Sequence, residues 1–447
     1  MSTTILTRDA APARRAATAR RAATARAPAT TQGVPRRIVA ATVAGNALEF
    51  YDFVTYAFFA VYIGRAFFPA STPLASLLLS VAVFGVGFVT RPLGGVLIGM
   101  FADRAGRKPA MLLTIALITI GTLGLALTPS YAQIGIAAPL IVVFCRLVQG
   151  VALGGEVGPA TAFLVEAAPP GRRAFYSGWQ LASQGIATLV AGVIGMAVIA
   201  TLTPEQLQAW GWRLPFLLSL LLVPLAVFLR REMPETLHEG SAVREHAGLA
   251  TLLRHRRTIG TAVLVILGGT VSNYVSTYMT TYAMATLQFP PLVAMGATVM
   301  VGVATFGFAL LGGWLADRHG RKPVMLWPRL ATAVLVVPAF LWLIAQPSLP
   351  VLLAVTLLTT ALGAMSGGAS ITAIPELLPR GIRASGLSIA YAVGVALFGG
   401  TTQFVVTWLI EVTGNKAAPA WYVAITSLVT AAAMLAMPES RDRDISG

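Results

Sequence analysis

The sequence predicts an all-α membrane protein, twelve transmembrane helices in two six-helix bundles related by pseudo-twofold symmetry. Three observations carry that prediction. Of the 447 residues 56% are hydrophobic and 11% charged, and the mean hydropathy is +0.76, which describes a chain whose solvent is lipid. Apolar stretches recur at about the 20 residues that a helix needs to cross a bilayer core. The run 99–112, GMFADRAGRKPAML, returns at 313–326 as GWLADRHGRKPVML, with ten identities in fourteen at an offset of 214 residues. The chain therefore halves into two related units, each carrying the same short charged turn between apolar stretches.

Taken in order, the apolar cores fall at 38–67, 74–100, 109–128, 134–163, 175–202 and 212–229, then at 258–287, 292–315, 323–345, 350–374, 385–410 and 420–437. They divide the chain into a basic arm (1–36), a first bundle (37–230), a linker (231–257), a second bundle (258–438) and a tail (439–447). The arm repeats Arg-Ala-Thr hexads with too little apolar surface to offset the entropy of ordering, and it is read as disordered. No short apolar segment precedes the first span, so a cleaved signal peptide is not expected.

Lys and Arg number 32 and the net charge is +15. Placing both termini in the cytoplasm puts eight of these cations within 1–37, six within 230–257, and most others in the turns 101–108, 166–174, 316–322 and 375–384. That asymmetry is the positive-inside rule, so the basic charge reads as topology and lipid-headgroup contact in a bacterial inner membrane, with no nucleic acid partner. The single Cys145 excludes an internal disulfide and a cysteine metal site. All four histidines (238, 246, 255 and 319) fall in loops on the cytoplasmic side, so a proton crossing the membrane must ride on a carboxylate.

A second echo pairs 166–174 with 376–384 at an offset of 210. Gly-x3-Asp-Arg-x-Gly-Arg-Lys after the second span, repeated after the eighth, resembles the signature of the major facilitator superfamily over roughly 36–440. Gly45-Asn46 with Glu49 and Asp52, Arg91-Pro92-Leu93-Gly94, Arg146 with Gln149-Gly150 and Gly154-Gly155-Glu156, and Trp210 to Phe216 are similar to the metabolite:proton symporters within it. Those carry citrate, tricarballylate, α-ketoglutarate, shikimate, or proline and betaine. The segment after Glu156 lacks the aromatic residue associated with that family, and Tyr51 stands where it often has another residue. The resemblance implies a monomeric, proton-coupled secondary transporter without a cofactor, its ligand a small organic acid.

Asp103 and Asp317 can each face the N-terminus of a helix in the opposite half, where unpaired amides carry partial positive charge. The resemblance implies that the inward side is latched when Asp103 meets the start of the eleventh span near Arg383 and Asp317 meets the start of the fifth near Arg173. Arg104, Arg107, Arg318 and Arg321 of the repeated turns, with Glu166 and Glu376 of the second echo, complete the expected gate.

Ionisable residues at bilayer depth cost several kcal/mol unless paired or hydrated, which makes each a functional candidate. In the first half these are Glu49, Asp52, Arg91, Arg146 and Glu156. Glu49 and Asp52 stand one turn apart on the first span, so both cannot stay ionised cheaply and one is expected to hold a proton near neutrality, with Glu156 next in line. Arg91 and Arg146 offer planar donor forks that suit carboxylates. Asn46, Tyr56, Gln149, Gln180, Gln184, Asn273, Tyr274, Tyr278 and Tyr391 fill out the expected substrate cavity. Arg329, the lone ionisable group deep in the second half, is expected to snorkel to the interface. The chain carries no phosphate loop, no metal spacing and no serine elbow, so an enzyme is not expected. An osmolyte or drug carrier and a transporter-derived sensor are the alternatives to an acid importer.

Overall fold

The computed structural model describes residues 36–105, 107–154, 171–221, 254–378 and 383–440, with a few positions between them. The arm, Glu156, Glu166 and most of the linker lie outside the described residues; for Glu49, Asp103, Arg104, Arg107 and Arg383 the description covers the backbone. Every regular element among the described residues is helical. In lipid the backbone must satisfy its own hydrogen bonds, and a helix does so within one segment.

Helix α1 (Arg36–Phe58) continues into α2 (Ala60–Phe67) through the single residue Phe59. The Thr72 hydroxyl accepts from Ala75 N at 3.1 Å and Pro73 occupies the first turn of α3 (Pro73–Val89), which fixes where that helix begins. After Thr90 comes α4 (Arg91–Ala105), and one apolar span, Pro73–Ile98, runs across the break. There follow α5 (Arg107–Leu127), α6 (Ala137–Gly154), α7 (Arg173–Thr201) and α8 (Leu214–Leu220). The second half holds α9 (Arg256–Ala285), α10 (Pro291–His319), α11 (Arg321–Ala345), α12 (Leu349–Leu377), α13 (Arg383–Gly394), α14 (Gly400–Thr413) and α15 (Ala418–Ala436). A π turn, Val395–Gly399, joins α13 to α14.

Among the described residues nine helices are long and apolar enough to cross a membrane, and α5 contributes a shorter apolar segment, Leu112–Leu127. The expected first span, 38–67, is the α1–α2 pair, and the expected sixth begins at α8 and passes beyond the described residues. Large apolar side chains such as Val89, Leu221, Trp327 and Val334 point outward and lie open on the surface, the face that lipid would cover.

Packing between the halves is tightest where α7 crosses α10. A methyl group placed on Gly178, Gly185 or Gly192 would come within 3.1, 2.5 and 2.8 Å of Ala309 O, Phe306 N and Thr298 Cγ2. From the facing helix, Gly302 and Gly313 have no room for a side chain against Leu189 and Ala174. Such small-residue seams let backbones touch along most of their length, which is how helices hold together when lipid gives them no hydrophobic reason to associate. The second contact between halves is local, where Gly85 of α3 meets Gly400 of α14. Between α10 and α11, Gly320 adopts φ +100°, open to glycine alone at low cost, and the Glu439 carboxylate accepts from Arg321 N and Lys322 N at 2.8 and 2.9 Å.

Replacing Gly302 with Val forces a side chain into the α7–α10 seam, whereas Gly307 of the same helix has nothing within 4 Å of its virtual Cβ. The Gly302→Val protein is expected to melt lower in detergent, at the scale of about 1–3 kcal/mol, and Gly307→Val to melt as the native chain does. Equal melting curves would remove the seam as the main bond between the halves.

Candidate functional site

Glycines place the first-half cations. A Cβ on Gly94 would overlap Val151 O, one on Gly150 would overlap Gly87 O, and one on Gly154 would overlap Arg91 O. Helices α3 and α4 therefore lie backbone to backbone with α6, which brings Arg91 and Arg146 inward. Arg91 stacks on Phe88 at 3.9 Å and on Phe53 at 4.8 Å, and it reaches the Tyr274 hydroxyl of the other half. Arg146 lies 3.7 Å above the Tyr56 ring, whose hydroxyl donates to Ser80 O at 3.1 Å. Both guanidiniums are buried, and Nε and Nη2 of each have no hydrogen-bond acceptor. Cation–π stacking stabilises a desolvated guanidinium by about 2 kcal/mol and leaves its in-plane donors available.

Asp52 is buried in the same bundle, among α5, α6 and α8. The Thr122 hydroxyl donates to Asp52 Oδ2, and Gln149 Nε2 donates to Thr122 Oγ1 at 3.0 Å. Ser219 lies against the carboxylate, Arg146 stands within Coulomb reach without a direct ion pair, and Oδ1 has no partner. Expected substrate contacts Asn46 and Gln180 bond each other at 3.0 Å, and Asn46 Nδ2 also donates to Ser183 Oγ at 2.6 Å, which clips α1 to α7.

A cavity of about 110 Å³ opens between the halves. From the first half its wall takes Phe50 of α1 with Leu181 and Gln184 of α7; α9, α10, α12, α13 and the first residue of the π turn supply the rest. Of the expected substrate residues, Gln184, Asn273, Tyr274 and Tyr391 line it. Asn46, Tyr56, Arg91, Arg146, Gln149, Gln180 and Tyr278 are not in its wall. Tyr278 instead accepts from Thr407 at 2.8 Å. Two polar atoms on the lining residues, Gln184 Nε2 and Thr360 Oγ1, have no protein partner and suit a polar ligand. An aromatic cluster of Phe53, Phe84, Phe88 and Tyr274, with ring centroids 4.6–6.2 Å apart, joins the cavity to Arg91.

Sequence reasoning missed Phe50, Thr270, Ser272, Ser276, Thr305 and Thr360 of the wall. The signal existed, since Gly269, Ser272, Asn273 and Ser276 follow the i, i+3, i+4, i+7 spacing of one helix face. Thr280, further along the same face and beyond the cavity, pairs with Thr298 at 2.6 Å. Arg329 does not snorkel. It is 0% exposed, and Nη1 donates to Gly268 O and Ser272 Oγ, each at 2.8 Å, so acceptors inside the bundle hold the guanidinium and nothing draws it outward.

At the end of the molecule that bears the charged turns, the Asp317 carboxylate accepts from Ala174 N at 3.0 Å and from Phe175 N at 2.9 Å, capping α7. Arg321 braces it, 3.2 Å from Asp317 and 3.0 Å from Glu376, and Ser440 Oγ donates to Glu376 at 2.8 Å. Arg173 is half-buried beside this cap, and Arg318 stacks on Trp314 at 5.4 Å.

A long all-helical membrane chain with a cavity between two sequence-related halves, its wall carrying unpartnered polar atoms, defines a solute carrier. Residues 42–394 match the model of the Major Facilitator Superfamily, and the chain belongs to that family. It is similar to the citrate-proton symporter of Klebsiella pneumoniae, 37% identical over 87% of this chain and 89% of that one. It is also similar to the alpha-ketoglutarate permease of Escherichia coli, 35% identical over 88% and 92% of the two chains. In fold it superposes on the E. coli xylose transporter solved in a partially occluded inward open conformation, with a TM-score of 0.73, 18% identity, and coverage of 91% and 99%.

Asp317→Asn keeps an acceptor at the α7 cap and removes its charge. A cysteine at Ser370, in the cavity wall, placed in a Cys145→Ala background, is then expected to react faster with an impermeant thiol reagent from the charged-turn side. The rise should be about fivefold or more, the low end of a 1–3 kcal/mol coupling. A flat rate would reduce the carboxylate to a topological charge.

Proposed function

We propose that this chain is a secondary active transporter that carries a small organic acid, a di- or tricarboxylate such as citrate, together with protons. It works by alternating access as a monomer in the bacterial inner membrane. Twelve transmembrane helices form its two six-helix bundles, both termini face the cytoplasm, and the proton is the coupling ion with no cofactor. The observation that carries this reading is the pair of buried guanidiniums, Arg91 and Arg146, stacked on aromatic faces with donors unmatched by protein acceptors. A buried cation costs several kcal/mol until an anion meets it, so such a site selects carboxylates. The activities named for the citrate and α-ketoglutarate relatives support the same class.

Asp52 takes the proton. Thr122 donates to Oδ2, which requires an acceptor there and leaves Oδ1 as the atom that protonates. The positive charge of Arg146 favours the carboxylate form of Asp52. An anion bound to Arg146 cancels that field, so anion binding and protonation favour each other, and by linkage the reverse holds on release. That mutual preference is symport. Glu49 and Glu156 extend the proton path. Asp317 latches the inward side between turnovers, and Asp103, Arg104, Arg107, Arg173, Arg318, Arg321, Arg383, Glu166 and Glu376 are assigned to the same gate.

Uptake of radiolabelled citrate into vesicles under an imposed pH gradient tests the reading. Citrate is expected to accumulate and a protonophore to abolish the gain; accumulation of betaine in its place would make the protein an osmolyte carrier. Arg91→Lys and Arg146→Lys are each expected to weaken citrate binding about tenfold or more, since loss of a bidentate charged pair costs about 1.5–3 kcal/mol. Wild-type affinity in both variants would remove these arginines from the site. Asp52→Asn is expected to exchange citrate across the vesicle and yet fail to concentrate it. Normal accumulation by that variant would move the proton to Glu49 or Glu156.

A further inference from the structure

We propose that Arg329 is a second anion anchor of the cavity, reached through the side-chain-free surface of Gly269, and that it selects ligands with two or more carboxylates. The inference rests on the organic-acid reading above and assigns a cation that reading does not use.

Arg329 lies about two turns into α11, directly after Pro328, and is wholly buried. Its Nη1 satisfies Gly268 O and Ser272 Oγ of α9, while Nε has no partner. Both named partners are neutral, and among the described residues no carboxylate forms an ion pair with it. Between residues 257 and 438 the acids are Asp317, Glu376 and Glu411. The first two are engaged with Arg321 at the charged-turn end, and Glu411 is exposed near the opposite end of α14. A lone buried guanidinium is costly unless an anion is meant to reach it.

The route for that anion is short. Gly269 and Ser272 line the cavity, and a Cβ on Gly269 would sit 3.7 Å from Arg329 Nη2. The absence of a side chain at Gly269 is therefore what separates a thin wall from an insulated one. Gly363 and Gly367 of α12 line the same cavity and keep it open there, and Thr360 Oγ1, also unpartnered, supplies a donor on that helix. On the same helix as Gly269, Tyr274 borders the cavity and touches Arg91. Tyr274 lies five positions beyond Gly269, a rise of about 7.5 Å along α9. A skeleton of a few carbons with a carboxylate at each end spans that interval, and a monocarboxylate or zwitterion fills one end alone.

The test measures citrate affinity of the purified full-length protein by calorimetry, with melting curves as the folding control. Arg329→Gln is expected to weaken citrate binding at least tenfold. Arg329→Lys, which keeps the charge, should retain part of the affinity. Gly269→Ala keeps Arg329 and covers it at an ordinary van der Waals distance, and it should weaken citrate with the melting temperature unchanged. If Arg329→Gln fails to fold, the other two variants carry the test. Citrate affinity within twofold of wild type in every variant that folds overturns the proposal. In that outcome a loss in Arg91→Lys, run in parallel, leaves the organic-acid reading standing, whereas wild-type protein that binds no citrate overturns both.

Discussion

Helices in a bilayer gain nothing from hiding apolar surface, because lipid is as apolar as they are, and so they must hold together by close contact and by polar groups that find each other. The glycine seams of this chain answer that constraint, and the site depends on where they fall. Along α7 and α10 the seam joins the two halves through Gly178, Gly185, Gly192, Gly302 and Gly313. Between α4 and α6 it places Arg91 and the Arg146–Gln149 turn of helix against the Phe53, Phe88 and Tyr56 rings. Widening the second seam by one methyl would move both cations, since each rides on a helix whose backbone is the contact surface.

The two halves treat charge differently. In the first, Asp52, Arg91 and Arg146 share a bundle, and the carboxylate and Arg146 are close enough to feel each other without pairing. That spacing is chemically informative: a tight ion pair would lock both charges, and a wide separation would uncouple them. In the second half, away from the Asp317–Arg321–Glu376 cluster, the one buried charge among the described residues is Arg329, so the polar character of the cavity wall comes mainly from hydroxyls and amides on α9 and α12. The buried charges of the first half and the hydroxyl- and amide-bearing wall of the second thus fall on opposite sides of the boundary between the halves, and Phe50, Phe53 and Tyr274 make the contact between them.

Much of this was readable in the chain because hydropathy and repetition are local properties. The apolar segments and the repeated turn needed no tertiary information. What escaped the sequence depends on rotation and partnership. Asn46 and Gln180 look like ligand contacts until α1 and α7 are brought together and their amides meet. On α9 one polar face runs along much of the helix, and packing alone decides that its stretch from Val265 to Ser276 borders the cavity. Arg329 could have extended toward water by length alone; its inward course depends on Gly268 O and Ser272 Oγ, which lie on a helix some sixty residues earlier in the chain.

The cap on α7 and the cavity belong to one mechanical unit. Asp317 fixes the first amides of α7; one turn on, Ser177 bonds Thr372 of α12, and Ser370, Ile371 and Ile374 of that helix line the cavity. Two turns further, Gln184 of α7 faces the same space with its Nε2 unpartnered. Because the glycine seam keeps α7 and α10 in contact along their length, the charged-turn end of α7 cannot part from α10 without tilting the helix that carries Gln184. Under the proposed alternating access, a ligand that engages Gln184 and the α12 face would act on the same helix pair that Asp317 joins, so occupancy of the cavity and closure of that end would be two readings of one helix position.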